Sequence, residues 1–247
     1  SYSSAASDVY KRQGIKIFVN IIMNKPKQLT FPWSKPNKSS LDEFYFDEAN
    51  HELKKILDSD DDTFLYGIKK TGKTYLLQAL CNKYADMDKM SLYLPLAEAS
   101  QLDAKILDGV EHMHIICVDD IDLIEGFKNW ETAIFNLINN CQTSGCRLIF
   151  GSSKNSSAIN FSLNDLKSRV RKIDQIEVFP ISDSNLSSAF EEISKHRSII
   201  IGDKELNYLL TYTERSISSL TNILNKLDEL SIQQKRKITI PLIKEII

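Results

Sequence analysis

Between Thr63 and Phe179, short apolar runs alternate with longer stretches whose apolar residues recur at helical spacing. Thr63–Tyr66, Met90–Leu94, His114–Val118, Arg147–Phe150 and Gln175–Phe179 read as strands, mostly aliphatic or aromatic and bounded by turn-forming residues. Asp47 is placed to cap a helix through His51–Leu57, which Asp58–Asp62 then break. A second helix follows from Gly72 to about Tyr84, and Ile106 falls in a helix that ends before Gly109. Trp130, Ala133, Ile134, Leu137 and Ile138 form one apolar stripe along a helix over Trp130–Asn140. Strands alternating with helices predict an α/β fold with a parallel sheet covered on both faces.

After Pro180 the strands stop. Asn185–His196, Lys204–Tyr212 and Ser216–Ser231 read as helices, with a last short one after Pro241. The chain therefore divides into an α/β domain over 41–180 and a small all-helical domain over 181–247. Residues 23–40 are polar and hold three of the chain's six prolines between Asn24 and Ser40, which predicts an extended, mobile tail. Met23 reads as the natural start, with Ser1–Ile22 a leader that has no counterpart in the fold. The longest apolar stretch, Ile15–Met23, is interrupted by Lys16 and Asn20 and is too short to span a membrane.

Composition changes this picture little. Of 247 residues 42% are hydrophobic, enough for a core without staples, and the net charge of -2 argues against a broad nucleic-acid-coating surface. Cys81, Cys117, Cys141 and Cys146 form no Cys-x-x-Cys pair and read as reduced thiols of a cytoplasmic protein. His112 and His114 have no companion ligands at zinc spacing.

The chemistry sits after the first strand. Gly67-Ile68-Lys69-Lys70-Thr71-Gly72-Lys73-Thr74 has the P-loop spacing, preceded by a strand and followed by a helix. Its glycines let backbone N–H groups curl around phosphates, and the helix presents its positive end to the same anion. Lys73 is placed to reach the outer phosphates of ADP or ATP, and the Thr74 hydroxyl to ligate Mg2+. Ile115–Val118 delivers Asp119 and Asp120 to the mouth of the sheet, where Asp119 would orient the magnesium shell and Asp120 would polarise a water.

These motifs, together with Trp130–Phe135 and Leu137, Asp165–Arg169 and the ending Lys237–Ile246, resemble the AAA+ proteins of the DnaA family, the bacterial replication initiators, and within it the short Hda subfamily. The resemblance runs from about Gln28 to Ile247. It implies an AAA+ sheet domain followed by a helical lid, with ADP as the resident nucleotide and a homo-oligomer as one possible assembly. It also implies that Arg169 is an arginine finger acting in trans, an element worth roughly a thousandfold or more in rate. Ser153 falls at the sensor 1 position, where a hydroxyl would touch phosphate or water. The family's sensor 2 arginine is replaced by Ser218, with Arg215 three residues earlier, which puts the chain's own hydrolysis in doubt.

Gln28-Leu29-Thr30-Phe31-Pro32-Trp33 resembles a bacterial sliding-clamp-binding motif. Gln28 would bond at a pocket rim, Leu29 and Phe31 would fill the pocket, Trp33 would add buried area, and Pro32 would lower the entropy lost on docking. The alternative is that Phe31 and Trp33 fold back on their own domain. The chain stops after the lid, so the helix-turn-helix domain that follows it in DnaA is not expected, nor is direct specific DNA binding. The resemblance thus implies a cytoplasmic adaptor that binds the clamp and stimulates hydrolysis of DnaA-bound ATP. The rivals are an autonomous ATPase of helicase-loader type and a tether whose nucleotide only stabilises the fold.

Overall fold

The computed structural model describes the backbone of Leu29–Thr30 and residues 39–247. Ser1–Ile22, and with them Gln28, Phe31, Pro32 and Trp33 of the tail, lie outside the described residues. The strands are β1 (Leu29–Thr30), β2 (Thr63–Tyr66), β3 (Ser91–Pro95), β4 (Ile115–Asp119), β5 (Arg147–Ser152) and β6 (Asp174–Glu177). They form a sheet in the order β1-β3-β4-β5-β2-β6, parallel throughout. The tail, expected from sequence to be extended and mobile, contributes two residues to the sheet edge, Leu29 beside Leu92 and Thr30 beside Tyr93.

The helices are α1 (His51–Asp58), α2 (Lys73–Asp86), α3 (Leu96–Ala99), α4 (Lys128–Ser144), α5 (Asn164–Arg171), α6 (Leu186–His196), α7 (Asp203–Tyr212), α8 (Ile217–Gln234) and α9 (Ile240–Lys244). Alternate residues of each central strand enter opposite layers, as the pleat requires. Phe64, Ile116, Val118, Leu148 and Phe150 pack with Trp130, Ile134, Leu137 and Ile138 of α4 and with Leu166 and Val170 of α5. On the other face Leu65, Ile115, Cys117 and Ile149 meet Leu53 and Leu57 of α1 and Leu76, Leu77 and Leu80 of α2. Each fully buried aliphatic side chain contributes roughly 1.5–3 kcal/mol, so Ile138→Ala in the middle of α4 would cost about 2–5 kcal/mol. The four cysteines are all buried in these layers. Helices α6 to α9 close on a separate core of Leu186, Phe190, Leu209, Leu220, Leu224 and Leu242. Among the described residues no helix is long and apolar enough to cross a membrane.

Some elements depart from the sequence reading. Asp47 caps a 3-10 turn, Glu48–Asn50, by accepting from the Asn50 N–H at 3.1 Å, and α1 continues from that turn. Around Ile106 the chain makes a 3-10 turn, Ala104–Leu107, in place of a helix. Helix α5 has no counterpart in the reading: its short sequence offers only Leu166 and Val170 to the core.

Candidate nucleotide site

The P-loop joins β2 to α2, and two of its glycines sit where no side chain fits. A Cβ on Gly67 would lie 2.4 Å from the Val178 carbonyl oxygen, and one on Gly72 would lie 2.7 Å from Cε2 of Phe44. Gly72 opens α2 at φ 97°, in the left-handed region, and no side chain caps the helix. The N–H groups of the first turn are therefore left for a ligand, at the positive end of a fourteen-residue helix.

Lys73 is buried within the loop, where its ammonium donates to the carbonyls of Gly67 at 2.7 Å and Ile68 at 2.8 Å. Burial lowers its pKa, and the charges of Asp119, Asp120 and Asp122 oppose that shift. The Thr71 hydroxyl donates to the Ile68 carbonyl at 3.2 Å and braces the same turn.

Asp119, at the end of β4, is almost fully buried. One of its oxygens accepts from the Thr74 hydroxyl at 2.7 Å and from the Tyr93 hydroxyl at 2.9 Å, and the other from the Asp120 N–H at 3.1 Å. Burial and the adjacent Asp119 charge raise the Tyr93 pKa, so this phenol stays a donor. Gly151 on β5 leaves the room: a Cβ there would lie 2.7 Å from Asp119 Oδ1 and 2.9 Å from Leu77. A hydroxyl and a carboxylate this close form the oxygen pair a magnesium ion takes, the ion keeping waters elsewhere. The residues thus fit a magnesium nucleotide: Thr74 would be a ligand and Asp119 would orient the shell.

Asp120 follows with φ 56°, also left-handed. Burial raises its carboxyl pKa, and the charges of Asp119 and Asp122 add to the rise. Asp122, which the sequence reading passed over, holds the next strand end. It accepts from the Ser152 hydroxyl at 3.0 Å, from the Ser153 N–H at 3.0 Å and from the Ser153 hydroxyl. Burial pushes its pKa up, but the Ser153 and Ser152 hydrogen bonds outweigh that and hold it below the usual carboxylate value. The Ser153 hydroxyl, expected to touch phosphate or water, is engaged by Asp122.

The lid forms the opposite wall. A cavity of about 140 Å³ opens beside Gly72, lined by Phe44 and Tyr45 from the segment before α1, and by Ile193, Ile217 and Ser218 from the lid. Its mostly apolar lining suits a flat base. Ser218, expected at the sensor 2 position, lines this wall, and its hydroxyl lies 3.3 Å from that of Ser216. Arg215 is exposed just before α8. Lys70 of the P-loop pairs with Glu214 of the lid, an exposed link between the two halves.

Arg169 is not in this constellation. It lies half-buried on α5, where its guanidinium donates to Gln142 of α4 at 3.2 Å. Of the residues that shape the site, sequence reasoning missed Tyr93, Asp122, Gly151 and Phe44. Only Asp122 carried a signal, a third acid two residues past Asp120.

Residues 59–186 match the AAA domain family, and residues 183–247 match the lid domain described as Hda. Over 227 residues the chain is 29% identical to an uncharacterized protein of Haemophilus influenzae, covering 90% of this chain and 98% of that one. The fold is similar to domain III of the replication initiation protein DnaA from Thermotoga maritima, with a TM-score of 0.68 at 16% identity over 85% of this chain and 96% of that one. It is also similar to AMPPCP-bound DnaA from Aquifex aeolicus, with a TM-score of 0.65 at 19% identity over 80% of this chain and 67% of that one. The Thermotoga maritima RuvB branch migration motor shares the fold at a TM-score of 0.57 and 14% identity, over 84% of this chain and 70% of that one.

Proposed function

This chain belongs to the AAA domain family, as a DnaA-like AAA+ protein of the Hda type, and on that premise we propose that it is a regulatory adaptor of replication initiation. It binds an adenine nucleotide in its own P-loop, docks on the sliding clamp through Gln28–Trp33, and stimulates hydrolysis of ATP held by DnaA. Arg169 supplies the trans-acting guanidinium. The initiator is left with ADP and re-initiation is suppressed.

The observation that carries this reading is the contrast between the two arginine positions. In the chain's own site, Ser218, which the resemblance sets at the sensor 2 position, lines the lid side of the cavity where the family carries a guanidinium. A serine hydroxyl cannot provide the bidentate charged contact of an arginine. Arg169, by comparison, sits outside its own site on a short helix, held by a neutral side chain rather than by a carboxylate. Its charge is uncompensated by that contact and available to a phosphate on another molecule.

A second reading is favoured by the intact Thr74, Asp119 and Asp120 cluster. It makes the chain an autonomous ATPase of helicase-loader type. Hydrolysis by the purified chain alone separates the two. The adaptor reading expects slow turnover that rises when Ser218→Arg is introduced; brisk turnover by the unaltered chain supports the ATPase instead. For the tail, a clamp pull-down with Leu29 and Phe31 replaced by alanine is expected to lose binding, and retained binding would remove the clamp from the account.

A further inference from the structure

Glu131 is a fully buried carboxylate on α4 that touches none of the nucleotide-site residues described above. One of its oxygens accepts from the N–H of Gly126 at 2.8 Å and of Ser162 at 2.9 Å. The other accepts from the N–H of Leu163 at 2.7 Å. Leu163 is the residue from which α5 starts, and it has no side-chain cap of its own. A carboxylate taken out of water is costly unless its oxygens are satisfied, and here three backbone donors satisfy them.

The bonds are unusual in what they join. Gly126 precedes α4, whereas Ser162 and Leu163 precede α5, so one side chain sets both helix starts. Helix α5 has eight residues and offers the core only Leu166 and Val170. A helix this short is marginal alone, and two apolar contacts leave its start weakly determined. Arg169 lies near its far end, where it bonds to Gln142, again on α4. The position of Arg169 is therefore referenced to α4 twice, through the backbone by Glu131 and through its own guanidinium by Gln142.

We propose that Glu131 is a positioning residue for Arg169, fixing the start of α5 so that the guanidinium is presented in one place. This rests on the trans-acting reading of Arg169. The carboxylate itself meets neither nucleotide nor partner; it acts through the helix it anchors. Misplacing a group that must meet a transition state by about 1 Å costs on the order of a hundredfold in rate.

The test uses the full chain with Glu131→Gln, Arg169→Ala and the double variant. Glutamine can keep the Gly126 and Ser162 bonds with its one carbonyl oxygen, but its amide then faces the Leu163 N–H, donor against donor. Three quantities are measured: backbone amide exchange, ADP affinity, and stimulated hydrolysis of DnaA-bound ATP with clamp loaded on DNA. The expected result is faster exchange over residues 162–171 with residues 67–86 unchanged, and ADP affinity within about twofold of wild type. The maximum stimulated rate falls about tenfold or more, in the direction expected of a displaced reacting group. The concentration giving half the effect stays the same, and the double variant is no slower than Arg169→Ala.

Full stimulation by Glu131→Gln, where Arg169→Ala has lost it, overturns the positioning role alone. So does a parallel loss of ADP affinity and stimulation, or a double variant slower than Arg169→Ala, because either marks a general structural role. Full stimulation by Arg169→Ala overturns the functional reading and this proposal with it. Should Glu131→Gln not fold, Glu131→Asp carries the same test, since it keeps both acceptor oxygens but withdraws them by one methylene.

Discussion

Asp119, Asp120 and Asp122 stand within four residues of each other, yet their surroundings set them different tasks. Asp119 is engaged by Thr74 and Tyr93, Asp122 by Ser152 and Ser153, and Asp120 is left with burial and two like charges. Its pKa is raised, so folding favours its protonated form. The stability this gives is fully present below the ordinary value of 3.8 and is lost as pH rises through the folded pKa. Asp120→Asn should therefore stabilise the nucleotide-free protein at neutral pH, and asparagine accepts the left-handed backbone. Thermal unfolding across pH checks this: the advantage of the variant is expected to shrink as pH falls through the folded pKa toward 3.8. Asp122 has the opposite sign, its depressed pKa contributing stability above 3.8 that is lost as pH falls through the folded value. At Gly151 the expectation is steric. Gly151→Ala pushes against Asp119 Oδ1, so magnesium-dependent nucleotide affinity should fall about tenfold or more by titration calorimetry, a difference of ~1.4 kcal/mol.

At the scale of elements, α1 depends on a residue from a distant strand. The Arg147 guanidinium donates to the carbonyls of Asp61, Leu57 and Ile56 at 3.0, 3.1 and 3.1 Å, which satisfies the C-terminal end of α1. Arg147→Ala is expected to cost about 2–4 kcal/mol in denaturant unfolding, because three charge-assisted bonds are lost and the Leu57 carbonyl loses its donor, while the carbonyls of Ile56 and Asp61 keep those of Ser59 and Thr63. A change under about 0.5 kcal/mol would mean water replaces the guanidinium. Sequence reading recognised β2 to β6, each within two residues at either end; β2 to β5 are the apolar runs a doubly covered parallel sheet demands, while β6 is an exposed edge strand whose one apolar residue is Ile176. It missed α5, whose polar surface gives two apolar residues and no cap, and knew Arg169 only by resemblance. It placed Thr74 and Asp119 together from the P-loop and the acidic strand end. Tyr93 and Gly151 were beyond it, since a tyrosine and a glycine in strands carry no spacing that shows which carboxylate they meet. Ser153 was placed at the ligand by resemblance, as sensor 1, and its hydrogen bond to Asp122 carried no motif that could announce it.

For the whole molecule, the nucleotide cavity has walls from both domains, so what joins the domains governs binding. Glu43 accepts from the Arg197 guanidinium at 2.9 and 2.8 Å and from the Tyr75 hydroxyl at 3.2 Å, and Arg197 also bonds to Asn225 of α8. One half-buried cluster thus connects the segment before α1, the P-loop helix α2 and the lid. Arg197→Ala should cost about 1–2 kcal/mol of stability and weaken nucleotide binding, as read by a thermal shift with and without ADP. The exposed Lys70–Glu214 pair should matter far less, so Glu214→Gln is expected to change stability by under about 0.5 kcal/mol. The central claim, that this chain acts on another protein's nucleotide, is tested most directly by hydrolysis of ATP bound to purified DnaA, with clamp loaded on DNA, comparing wild type with Arg169→Ala. The account predicts that wild type accelerates hydrolysis and that Arg169→Ala, with its fold and ADP binding intact, does not. Equal acceleration by both, or by neither, would contradict it.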